Sequence, residues 1–206
     1  NIDKAISHFL IASNEQIDES ALNLGEIYYE NKKDIDKAIH YYTISANRGN
    51  AIAQDKLGFI FASNKYGRID TNKAIKYFTY AANKGIITSQ MNLGNYYLYG
   101  INIIADIDKA INYLFSAACQ HDIDAYFSLG LIYQEGKNVK RNISKSINYY
   151  KEASSFNHQF AKNNLGIIYK NGIKYKDENG NDSELEPNLN LAKEYLKESI
   201  KQKNDY

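Results

Sequence analysis

Apolar side chains recur along this chain three and four residues apart, the spacing of one face of an α-helix, and the whole block of such positions then repeats. Each block carries Leu-Gly with an aromatic three residues after the glycine: Leu24-Gly25 with Tyr28, Leu57-Gly58 with Phe61, Leu93-Gly94 with Tyr97, Leu129-Gly130 with Tyr133, and Leu165-Gly166 with Tyr169. Successive leucines stand 33, 36, 36 and 36 residues apart. A fixed period of this length predicts a helical solenoid, in which each unit buries its apolar face only by stacking on its neighbours.

The third block shows how one unit is built. Its polar and apolar positions predict a first helix from about Thr88 to Tyr99 and a second from about Asp106 to Gln120. Leu93 and Tyr97, four apart, fall on one helix face with Gly94 between them. A glycine inside a helix costs about 1 kcal/mol relative to alanine, so its return in every block predicts a neighbouring helix too close for a side chain. The second helices align on a small residue: Ala5, Ala38, Ala74, Ala110, Ser146 and Ala192. Three positions on stand His8, Tyr41, Tyr77, Tyr113, Tyr149 and Tyr195, and four on stand Phe9, Tyr42, Phe78, Leu114, Tyr150 and Leu196. This face is the predicted core, and it accounts for most of the 19 tyrosines without a cofactor. Gly49, Gly85, His121 and Asn157 all come eleven residues after the aligned small residue, where a left-handed residue ends the helix.

The period predicts one continuous array over residues 1–206, with five repeats at 17–50, 51–86, 87–122, 123–158 and 159–203. Residues 1–16 match only a second helix, through Asp3-Lys4-Ala5-Ile6 and Phe9, which predicts a chain cut from a longer protein. The last repeat carries an inserted turn at 174–186. Its acidic stretch, Asp177 to Asp182, lacks the spacing of a calcium-binding loop and is read as a solvated, mobile loop ahead of a helix from about Asn188 to Lys203.

Charge and chemistry narrow the function. With 25 basic and 24 acidic residues the chain lacks the basic excess that drives binding to nucleic acid. No apolar run approaches the roughly 20 residues that span a bilayer, so no membrane insertion is expected of this segment. Cys119 is the only cysteine and can form no internal disulfide, which favours a reducing, cytoplasmic location. His8, His40, His121 and His158 show no ligand-like spacing, so no metal is expected. No glycine-rich phosphate loop, nucleophile elbow or paired carboxylates stand out, and the chain reads as a non-enzyme without a cofactor.

The full pattern is Ala or Ser, then Leu-Gly-x-x-Tyr, a turn, Asp-x-x-Lys-Ala-x-x-Tyr-Tyr-x-x-Ala-Ala and Gly. It resembles the Sel-one-like repeat, a relative of the tetratricopeptide repeat, best at Ser89 to Gly100 with Asp106 to Ala118 and at Ala125 to Gly136 with Ile143 to Ser154. The first full copy departs through a shorter turn, Asn31 to Asp34, and the last through its insertion before Pro187. The single cysteine also sets the chain apart from the cysteine-rich branch, which has a disulfide in each repeat. The resemblance implies an all-α, right-handed superhelical solenoid of antiparallel helix pairs, working as an adaptor that holds a protein or peptide on its concave face.

The resemblance further implies that the first helices line that face, at positions two before and two and five after the Leu of Leu-Gly. Those columns read Leu22, Asp55, Met91, Phe127, Asn163; Glu26, Phe59, Asn95, Leu131, Ile167; and Tyr29, Ala62, Leu98, Gln134, Lys170. They vary between copies, as a non-repetitive ligand requires and as a free solvent face would also do. The candidate partner-binding residues are Tyr29, Lys56, Phe59, Met91, Asn92, Asn95, Leu98, Phe127, Leu131 and Ile167. The apolar members would form a contact patch, or would pack between neighbouring first helices. Asn92 and Asn95 would pair with a peptide backbone, as Asn does in the related repeats, or would brace the adjacent helix. The alternatives to an adaptor are a targeting or spacer arm of a larger enzyme or signalling protein, and a hydrolase-like cleft.

Overall fold

The computed structural model describes residues 2–14, 18–176 and 181–201. Among them the chain forms eleven α-helices: α1 (Ile2–Asn14), α2 (Asp18–Glu26), α3 (Ile35–Asn47), α4 (Ala51–Ala62), α5 (Thr71–Asn83), α6 (Ile87–Tyr99), α7 (Ile107–Ala118), α8 (Ile123–Glu135), α9 (Ile143–Ser155), α10 (Gln159–Asn171) and α11 (Leu189–Lys201). The chain divides into two compact units, Asn1–Ile104 and Ala105–Tyr206, with the boundary in the turn of the third repeat. Within each unit consecutive helices pack as neighbours, α1 through α6 in the first and α7 through α11 in the second.

The motif residues explain how each hairpin closes. Asp34, Asp70, Asp106 and Asn142 cap the second helices by accepting from the backbone N–H of Lys37, Lys73, Lys109 and Lys145. The ammonium groups of Lys37, Lys73 and Lys145 then sit 5.1, 5.1 and 5.5 Å from the ring centres of Tyr28, Phe61 and Tyr133. Those rings, the aromatics of the Leu-Gly motif, stack on Tyr41, Tyr77 and Tyr149 with centroids 5.4 to 5.9 Å apart. Motif spacing along the chain has become a ladder of cation, ring and ring inside these hairpins.

The recurrent glycines answer to the same packing. A Cβ added at Gly25, Gly58 or Gly130 would lie 2.5 Å from a ring carbon of Tyr42, Phe78 or Tyr150, and at Gly166 it would lie 2.6 Å from Leu196. The close approach that the glycine pattern predicts is made by these side chains of the paired helix. Tyr42, Phe78 and Tyr150 are fully buried, each over its own glycine. The second helices end as expected, with φ of 88° at Gly49, 89° at Gly85, 62° at His121 and 69° at Asn157.

Two places differ from expectation. In the first full repeat α2 runs on into a π-helical turn, Ile27–Asn31, closed by a bond from Lys32 N–H to the Ile27 carbonyl at 3.0 Å. Its shortened connection leaves no room for the glycine-ended α-helix seen at Gly100 and Gly136, and the widened turn takes up the difference. In the last repeat the inserted turn carries a two-stranded antiparallel ribbon, β1 (Ile173–Lys176) against β2 (Asp182–Leu185), so that Asp182 of the acidic stretch read as a loop begins a strand. Ile173 pairs with Leu185 and Tyr175 with Ser183, so the apolar residues share one face, and Ile173, Tyr175 and Leu185 pack against the core of the second unit. The polar pair Lys174 and Glu184 meets on the other face at 3.6 Å. The rest of the acidic stretch, 177–180, lies outside the described residues, as do positions 15 and 16 of the first segment and the predicted helix end at 202–203.

Candidate partner-binding face

In each unit the first helices stand side by side, tied by polar contacts between repeats. Glu26 on α2 meets Lys56 on α4 at 2.9 Å. Asp55, nearly fully buried, accepts from the hydroxyls of Thr88 at 2.9 Å and Ser89 at 2.5 Å at the start of α6. Gln54 and Gln90 each donate from Nε2 to a carbonyl at the end of the preceding second helix, Ala46 at 3.1 Å and Ala82 at 3.2 Å. In the second unit Lys162 takes this column, its buried ammonium held by Asn157 at 2.6 Å and Glu198 at 2.7 Å. The composition of the columns gives no hint of these bonds, most of which join one repeat to the next.

Three predicted residues come together in the first unit. Tyr29, Lys56 and Phe59 line one groove of about 380 Å³ with Glu30, Tyr42 and Asp55. Phe59 is 42% exposed and stands edge-on to Phe78, with ring centres 5.4 Å apart. The hydroxyls of Tyr29 and Tyr66 are hydrogen-bonded at 3.0 Å. That bond, then burial, pushes the Tyr29 phenol up to about 12. Burial raises Tyr42 further, with the charge of Glu26 adding to it. Sequence reading had Tyr42 as core and passed over Glu30 and Tyr66. Tyr66 comes nine residues after Leu57, where the third and fourth repeats carry Asn102 and Asn138, and that departure was the available signal.

Four predicted residues lie on α6, and all four, Met91, Asn92, Asn95 and Leu98, are half-buried. The Asn92 amide donates to the Thr88 carbonyl at 2.8 Å, one turn back on its own helix. In the second unit Phe127 lies against His158, Tyr150 and Phe160, at centroid distances of 4.5, 5.8 and 6.1 Å. His158 Nδ1 accepts from the Ala161 N–H at 3.1 Å, so the ring proton sits on Nε2, 3.3 Å from the Asp124 carboxylate. Leu131 packs beside Phe127 on the core of that unit, while Ile167 is 45% exposed. Among the described residues no helix is long and apolar enough to cross a membrane, and no three His, Cys, Asp or Glu side chains gather where they could hold a metal.

Helical hairpins closed by capped second helices, with glycine under a facing side chain, define an α-solenoid repeat protein. The Sel1 repeat model matches at 18–50, 51–86, 87–122, 123–155 and 159–204, and the chain belongs to the Sel1 repeat family. Members commonly serve as protein-interaction scaffolds and are generally non-catalytic. None of the curated proteins matches the sequence. Among solved structures, a protective antigen of uropathogenic Escherichia coli strains with an SLR fold is similar at a TM-score of 0.85 and 23% identity, over 99% of this chain and 42% of that one. The chain therefore spans less than half the length of that antigen. A Sel1 repeat protein from Oxalobacter formigenes gives 0.72 at 23% identity over 98% and 80%. An immunity protein from Pseudomonas aeruginosa gives 0.54 at 20% identity over 98% and 74%.

Proposed function

We propose that this chain is a non-enzymatic scaffold that holds a peptide or protein partner on the face of its first helices. Tyr29, Lys56 and Phe59 serve in the first unit, Met91, Asn92, Asn95 and Leu98 on α6, and Phe127, Leu131 and Ile167 in the second. The observation that carries this reading is the groove beside Phe59, where an exposed aromatic and polar side chains line an open space that the repeat's own packing does not fill. The groove varies from the repeat consensus in the residues that line it and keeps that consensus in the helices beneath. Such a division suits a binding surface on a fixed frame.

Affinity capture from the source cell's lysate tests it, with the wild-type chain beside a Phe59→Ala, Asn95→Ala, Phe127→Ala variant whose melting is measured separately. A partner retained by the wild type and lost by the folded variant is the expected result. Recovery of the same proteins by both baits, or of none by either, would remove the first-helix face as the binding site.

A further inference from the structure

The ribbon in the turn of the last repeat has an open edge. Among the described residues β1 and β2 pair only with each other, and no backbone hydrogen bond from elsewhere in the chain reaches β1. In an antiparallel pair alternate residues turn both N–H and C=O away from the partner strand, so the outer side of β1 carries donors and acceptors that the ribbon itself does not use. An open space of about 540 Å³ borders the ribbon, lined by Lys174, Tyr175, Asp182, Ser183 and Glu184.

This edge is held in place. A two-stranded hairpin alone is marginal in water, but here Ile173, Tyr175 and Leu185 pack on the core of the second unit, and Ser144 donates to the Tyr175 hydroxyl at 3.4 Å. The strand is therefore extended before a guest arrives, which spares the guest the cost of ordering it. A row of backbone groups at strand spacing is complemented by another extended backbone, which would add a third strand.

Charge narrows what that strand carries. β1 reads Ile-Lys-Tyr-Lys and β2 reads Asp-Ser-Glu-Leu, and the register sets Lys174 against Glu184 and Lys176 against Asp182. Opposite charges across a strand pair support it and like charges oppose it. A second copy of β1 on this edge, with its apolar residues on the shared face, would bring lysine against lysine, a device by which edge strands avoid pairing with themselves. Lys174 is 82% exposed and meets Glu184 only at 3.6 Å, so its ammonium can serve a second carboxylate on its other side. The chain after β2 instead runs into Pro187, two residues past Leu185, which has no N–H to extend a ladder.

We infer that the outer edge of β1 docks an extended segment of a partner protein in which acidic and apolar residues alternate. Its backbone continues the ladder, its acids stand across from Lys174 and Lys176, and its apolar residues extend the face that Ile173 and Tyr175 begin. The edge belongs to the inserted turn and not to the first helices, so it stands or falls apart from the scaffold reading.

The test uses three capped peptides: acetyl-Val-Glu-Val-Glu-Val-amide, the same sequence with lysine for glutamate, and the glutamate peptide with every backbone amide N-methylated. Each is titrated into nitrogen-15-labelled protein while the backbone amides of β1 and of the first helices are followed by NMR. The glutamate peptide should shift the β1 amides saturably, with a dissociation constant on the order of 1 mM, and slow their exchange with solvent. The lysine peptide should bind roughly fivefold more weakly, and the N-methylated peptide should leave these amides unmoved. Lys174→Gln, an exposed substitution, should weaken the glutamate peptide while the cross-strand contacts of the ribbon persist, and added salt should do the same in the wild type. Equal binding of glutamate and lysine peptides, binding of the N-methylated form, indifference to Lys174→Gln, shifts confined to the first helices, or no shift with any peptide would overturn the acidic strand. So would β1 shifts that grow with protein concentration and ignore the peptides, an outcome that gives the edge to a second copy of the chain.

Discussion

The first-helix face opens into a groove in the N-terminal unit, whereas in the C-terminal unit Phe127 of the same face is surrounded by the rings of His158, Tyr150 and Phe160. The contrast extends to the core column beneath. Tyr42 and Tyr150 stand at the same repeat position, both fully buried, both closing over a glycine. Tyr150 donates to Gln134 Oε1 at 2.6 Å, while the Tyr42 hydroxyl finds no partner. Gln134 comes from the column five after the motif leucine, where the first repeat carries Tyr29. One frame thus yields a self-satisfied surface in one unit and an open, polar-floored one in the other, according to what the variable columns supply.

The largest expected effect tests what the units share. Gly58→Ala and Gly130→Ala should each destabilise the protein by about 1–3 kcal/mol in urea unfolding, since the new methyl meets the ring of Phe78 or Tyr150. Alanine for glycine on an open helix would stabilise by about 1 kcal/mol, so the sign of the change decides whether the ring contact governs.

A smaller effect separates the units. Tyr150→Phe removes a hydroxyl that is hydrogen-bonded and should cost about 1 kcal/mol, leaving the Gln134 carbonyl short of a donor. Tyr42→Phe removes an orphan and should leave thermal stability unchanged or raised. Equal losses in the two variants would mean that Tyr42 does have a partner in solution.

The smallest effect concerns acid. Asp34 and Asp70 in the N-terminal unit, and Asp106 in the other, are held below the usual carboxylate range, first by the backbone N–H three residues on. Because the folded pKa lies below the unfolded one, this stabilisation is complete above the ordinary carboxylate range. It is lost as pH falls through that range toward the folded value. The next second-helix cap in the C-terminal unit is Asn142, which does not titrate. A variant with Asp34→Asn and Asp70→Asn keeps the caps and should show a flatter fall of melting temperature between about pH 6 and pH 3 than the wild type.

Much of the frame was legible because it repeats. Five registers of Leu-Gly and aromatic, aligned small residues and the left-handed helix ends each state a local rule several times over, and Gly49, Gly85, His121 and Asn157 obey it with positive φ in every case. The candidate face was legible only as columns. Tyr29, Lys56 and Phe59 share one groove in which Tyr29 lies on the π-helical turn and is bonded by Tyr66, two features that stand outside the repeat pattern.

By itself, then, the sequence determined helices, their pairing, their ends and the positions of the core, since periodicity and capping act over a few residues and recur. Only the tertiary structure decided that a ring closes over Gly25, Gly58 and Gly130, that the last turn is a β-ribbon, and that one buried tyrosine is satisfied while its equivalent is not. Those outcomes arise where side chains from the two helices and the turn of one hairpin meet, and a hydrogen bond or a steric limit between them depends on distances that the pattern along neither helix encodes.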